Sequence, residues 1–63
     1  MLKGTVISRK PGSVVVRVYD PALGGVLSYN VRCPVNVTPH PGMLAVFDER
    51  ATGGPLLVRV DKP

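Results

Sequence analysis

The sequence is short of almost every residue type that small proteins use for covalent or metal reinforcement. Cys33 is the single cysteine and His40 the single histidine. An intrachain disulfide is therefore excluded, and a structural metal site, which wants four ligands, is not expected. Tryptophan and glutamine are absent, and the aromatic residues are Tyr19, Tyr29 and Phe47 alone. Acidic residues are few: Asp20, Asp48, Glu49 and Asp61 stand against eight lysines and arginines, for a net charge of +4. No apolar run approaches the roughly 20 residues needed to cross a bilayer, and Met1 to Thr5 lacks the apolar core of a secretion signal. A cytoplasmic protein without a membrane role is the expectation, and the sequon Asn36-Val37-Thr38, followed by Pro39, reads as accidental. The missing glutamine and the prolines in the loops fit a heat-adapted source.

What is present is a chain of 63 residues, 44% hydrophobic, which argues against disorder and allows one domain with one modest core. Ordering costs about 1.5 kcal/mol per residue, so a chain this short only just breaks even on apolar burial. With disulfides excluded and a metal not expected, stability must come from close packing or from self-association.

Apolar runs alternate with turn clusters at close spacing, the pattern of an all-β domain. The first run is Leu2 to Ser8, ended by Arg9-Lys10-Pro11-Gly12, where Pro-Gly suits the centre of a type II turn with Gly12 at positive φ. The second, Ser13 to Tyr19, is dense in valine, whose branched Cβ suits a pleated strand. Asp20 to Gly25 connects it to the third, Val26 to Arg32. The fourth, Met43 to Asp48, and the fifth, Leu56 to Val60, are joined by Glu49 to Pro55. Between the third and fourth runs, Pro34, Pro39 and Pro41 forbid a regular helix, so Cys33 to Gly42 reads as an irregular crossover.

Period-2 alternation assigns the two faces. Val14, Val16 and Val18 oppose Val15, Arg17 and Tyr19, while Leu27, Tyr29 and Val31 oppose Val26, Ser28, Asn30 and Arg32. Leu56, Val58 and Val60 oppose Leu57 and Arg59. The expected core is Val6, Val14, Val16, Val18, Leu27, Val31, Leu44, Val46, Val58 and Val60. The fourth strand is apolar on both faces, which makes it either doubly covered or part of an interface.

The expected fold is a small, five-stranded antiparallel β-barrel, OB-like, with an SH3-like barrel as the alternative. In order, Gly4-Thr5-Val6-Ile7, Ser13-Val14-Val15-Val16-Arg17-Val18, Pro41-Gly42-Met43 and Leu57-Val58-Arg59-Val60 resemble the small RNA-binding barrels of the S1 and bacterial translation initiation factor one type. The resemblance spans nearly the whole chain through short elements. It implies single-stranded nucleic acid, RNA or DNA, as partner. It departs from that type in having few exposed aromatics, and in holding prolines where many OB folds hold a helix.

The binding site expected from the alternation comprises Lys3, Arg17, Tyr19, Asn30 and Arg32, arginines for phosphates and Tyr19 for stacking on a base. Arg9-Lys10 reads as a solvated hairpin tip. Gly24-Gly25 and Gly53-Gly54 lead into no helix N-terminus and read as turns. No carboxylate lies near His40 in sequence, and Cys33 has no base beside it, so neither enzyme activity nor a cofactor is expected. The competing class is assembly, a homo-oligomer or a docked protein partner, with Val15, Met43, Phe47 and Leu57 as the expected interface.

Overall fold

The computed structural model describes residues Met1 to Lys62. Five strands account for most of them: β1 (Leu2–Lys10), β2 (Ser13–Asp20), β3 (Gly25–Arg32), β4 (Leu44–Asp48) and β5 (Leu56–Asp61). They close a barrel in the order β1-β2-β3-β5-β4, a small all-β barrel of the OB-like or SH3-like kind. Turn chemistry sets the boundaries. Pro11-Gly12 reverses the chain between β1 and β2 with Gly12 at φ 80°, the left-handed region where only glycine sits without penalty. After β2, the Asp20 carboxylate accepts from the Ala22 N–H at 2.9 Å and opens the next turn.

Four of the five pairings are antiparallel, and the fifth, a single bridge from Arg32 to Leu56, is parallel. The expectation of wholly antiparallel pairing is corrected at that point. After the meander β1-β2-β3 the chain crosses over and adds β4 to β1, so β5 can close the barrel only by running alongside β3 in the same direction.

β1 serves two neighbours. Its first half pairs with β4, from Leu2 opposite Phe47 to Thr5 opposite Leu44, and its second half pairs with β2. Such a strand must curl. The register slips between Val6 and Ser8, leaving Ile7 as a bulge that increases the local bend. Gly4 lies at the tightest point, where a Cβ would come within 2.8 Å of Val18 and 2.9 Å of Val16 and would strike the backbone carbonyl of Arg17.

The core is built from the inward rows of this register. Val6, Val14, Val16, Val18, Val31, Ala45, Phe47 and Leu57 are buried together, and Tyr29 packs its ring against Phe47 at 5.1 Å between centroids. Cys33 and Val37 of the crossover pack on this cluster, and Pro39 is fully buried. The crossover thus plugs the barrel without any helix, as its prolines required.

Several expected placements are corrected. Val58 is 43% exposed and Leu57 only 1%, the reverse of strict alternation. The cause is a bulge: Val46 opposes Arg59 and Phe47 opposes Leu57, so Val58 is the extra residue and the phase of β5 inverts across it. Leu27 is on the inward face but 37% exposed, because it sits at the open end of the barrel. Leu44 and Val60 are half-buried rather than central.

β4 is covered on both sides by its own chain. Phe47 is 0% exposed, so neither it nor Leu57 is available as an interface residue, while Val15 and Met43 are half-buried. On the outer side Val46 is only 9% exposed, flanked in register by Lys3 and Arg59. Long basic side chains commonly lay their methylene stems over such a residue.

Candidate nucleic-acid interface

The outward rows of β1, β2 and β3 form one continuous surface. In register they read Lys10–Ser13–Arg32, Ser8–Val15–Asn30 and Thr5–Arg17–Ser28, with Tyr19 opposite Val26 below. Not one of these residues is acidic. Among the described residues the carboxylates are engaged elsewhere: Asp20 and Asp48 each accept from a backbone N–H two residues on, Glu49 faces the N-terminal ammonium, and Asp61 faces Lys3 and Arg59. The face therefore carries uncompensated positive charge.

Arg17 lies at its centre. It is exposed, between Thr5 and Ser28, and makes no ion pair among the described residues. Two residues along the same strand Tyr19 is 64% exposed, on the same face, with its ring open to solvent. Residues at i and i+2 of one strand have their Cα atoms about 7 Å apart, so the guanidinium and the aromatic ring stand side by side on this face. Asn30 is exposed beside Val15 and offers a neutral donor and acceptor.

Two of the expected residues are otherwise occupied. Arg32 donates from Nη2 to the carbonyls of Thr52 and Gly54 at 2.7 and 2.8 Å. It clamps the β4–β5 loop across the end of β3, where its own N–H donates to the Pro55 carbonyl at 2.8 Å. Its charge stays at the rim of the face, but the guanidinium is committed to holding that loop. Lys3 sits opposite Val46 on the β1–β4 side, 4.0 Å from Asp61. The pairing of this half of β1 with β4 sets its ammonium next to an acid.

Lys10, read from the sequence as part of a solvated hairpin tip, is aligned by the register with Ser13 and Arg32 at the upper edge of the face. Only the register, not the alternation within one strand, reveals this. Behind Lys10 a cleft of about 270 Å³ is lined by Arg9, Pro11, Cys33, Pro34 and Pro39 among others. Arg9 donates to the Pro39 carbonyl at 3.3 Å, and the Cys33 thiol donates to that of Val37 at 3.2 Å. The first of these contacts, together with the Cys33 N–H donating to the Gly12 carbonyl at 3.0 Å, ties the crossover to the β1–β2 hairpin, while the second braces the crossover itself. His40 is exposed, and among the described residues no three of His, Cys, Asp and Glu cluster as metal ligands. No helix of the described residues is long and apolar enough to cross a membrane.

Comparison with known protein families, curated proteins and solved structures finds no match to this chain.

Proposed function

We propose that the chain is a binding module for single-stranded nucleic acid, with the β1–β2–β3 face as its surface. The observation that carries this reading is the acid-free outward face with the unpaired Arg17 at its centre and exposed Tyr19 beside it. Arg17 and Lys10 contact phosphates, Tyr19 stacks on one base, and Asn30, Thr5 and Ser28 supply neutral hydrogen bonds. Arg32 contributes charge at the rim while keeping the β4–β5 loop in place.

The recognition is sequence-tolerant, because every base has a face to stack and phosphates carry no sequence information. It is also weak. One stacked base contributes about 1–3 kcal/mol, and the face offers two or three cations rather than the six to ten of a tight binder. A single-stranded partner is preferred over a duplex because stacking on Tyr19 requires an unpaired base. The reading agrees with the resemblance to S1 and bacterial translation initiation factor one barrels, since the OB-fold binding surface is centred on the second and third strands, two of the three strands proposed here.

The test is fluorescence anisotropy with labelled single-stranded RNA, single-stranded DNA and duplex at two salt concentrations. Binding to single strands that weakens with salt supports the proposal. Equal or tighter duplex binding, or none at low salt, removes it.

A further inference from the structure

β3 is bonded along one edge only. Its pairing with β2 runs the whole length of the strand, but on the other side the single pairing among the described residues is Arg32 with Leu56. Arg32 turns its N–H to that side, toward the Pro55 carbonyl. Backbone groups alternate in direction along a strand, so the N–H and C=O of Asn30, Ser28 and Val26 point the same way, with no backbone partner there among the described residues. Six polar groups in a row make a ready template for another strand.

Natural edges are blunted by charge, proline or a bulge. From Val26 to Val31 this one has none of the three, although the chain as a whole carries +4. Its exposed side chains include Leu27 and Val26.

We propose that β3 pairs with β3 of a second copy of this chain, antiparallel, about a two-fold axis at Ser28. This goes beyond the nucleic-acid reading and does not depend on it. The pairing is self-complementary at each position. Ser28 faces its own copy, and Val26 and Asn30 face one another twice, so all six backbone groups are satisfied. On the inward side Leu27 lies next to the partner copy of Tyr29, covering apolar surface that the monomer leaves open. A foreign peptide would have to supply this match, whereas a second copy has it by symmetry.

Electrostatics permit the approach. Arg17 sits one strand in from β3, so the two copies of Arg17 are three strand spacings, about 14 Å, apart. That exceeds the screening length of about 8 Å at physiological salt. The outward face then runs unbroken across six strands, with both copies of Arg17 on it.

An edge contact of this length covers about a tenth of the 4121 Å² surface, at or below the lower end of stable interfaces, so association is weak. The test is sedimentation equilibrium of the full chain at about 0.5 mM, a concentration chosen for such a weak pair. The expected mass is twice the 6.7 kDa of one chain. Ser28→Pro removes an N–H that the monomer does not use, which edge strands tolerate, and is expected to return the mass to that of one chain with an unchanged circular dichroism spectrum. In a Cys33→Ala background, Ser28→Cys is expected to form an interchain disulfide under mild oxidation, since residues so paired lie about 5.5 Å apart. Thr5→Cys, on the same face but two strands away, is not. A wild-type chain that stays single at this concentration overturns the proposal, whether or not some foreign peptide binds the edge. So does a Ser28→Pro protein that remains paired, or Thr5→Cys cross-linking as readily as Ser28→Cys. If Ser28→Pro does not fold, the cysteine pair decides alone.

Discussion

Gly4 is where the barrel closes most tightly, and Gly4→Ala is the sharpest test of that geometry. A Cβ there meets the γ-carbons of Val16 and Val18 at 2.9 and 2.8 Å and overlaps the carbonyl oxygen of Arg17. The valines are buried, and the carbonyl belongs to the β2 backbone, so none of the three is a flexible end that swings aside. Inserting one methyl group into packed surroundings costs about 1–3 kcal/mol, and a backbone obstacle puts this case at the upper end. Against this, alanine is better than glycine in a strand by about 0.5–1 kcal/mol. The net loss is therefore about 2 kcal/mol. A domain of this size has a total stability of about 3–9 kcal/mol, and each kcal/mol moves Tm by about 4–8 °C. Thermal unfolding followed by circular dichroism is expected to show Gly4→Ala melting about 8–16 °C lower than the wild type. Gly25→Ala supplies the control: it stands in a strand at ordinary φ with nothing within 4 Å of the added carbon, and its Tm is expected to hold or rise slightly. Equal Tm values for Gly4→Ala and wild type would refute the close approach of β1 to β2.

Arg32→Ala removes both charge-assisted bonds to the β4–β5 loop. At this exposed position the expected loss is about 1 kcal/mol, with faster amide exchange confined to residues 49–55 as the specific readout. Exchange unchanged in that loop would show that the clamp does not hold it. Phe47→Ala is expected to cost about 3–5 kcal/mol, most of the domain's stability, and to leave the chain largely unfolded in chemical denaturation at 25 °C. A stable, folded Phe47→Ala chain would return Phe47 to the surface, where the interface expectation had it.

Most of the strand plan was legible in the sequence, for identifiable reasons. Pro11-Gly12 and the Asp20-Pro21 turn announce themselves chemically, and the alternating valines of β2 need no tertiary information to choose a face. The phase of β5 was not legible. A bulge at Val58 is decided by how β4 and β5 fit a curled barrel, and it exchanges Leu57 for Val58 without any local signal. The same limit applied to the surface. Alternation placed Arg17, Tyr19, Asn30 and Arg32 on one face, which the register bears out. It had no means of knowing that Arg32 reaches a loop twenty residues away, or that the pairing of β1 with β4 sets Lys3 beside Asp61. Pairing partners far apart in sequence decide which charges remain free.

The central claim, that the face around Arg17 binds single strands through phosphates and one stacked base, is tested most directly by the salt dependence of binding in two variants. Affinity for a labelled single-stranded oligonucleotide is measured from low to moderate salt for wild type, Arg17→Ala and Tyr19→Ala. Each phosphate neutralised contributes about −0.7 to the slope of log affinity against log salt. Arg17→Ala is expected to weaken binding and to flatten that slope by about 0.7. Tyr19→Ala is expected to weaken binding by about 1–3 kcal/mol with the slope unchanged, because stacking releases no counterions. Binding that keeps both its strength and its slope in Arg17→Ala would contradict the account and move the interface off this face.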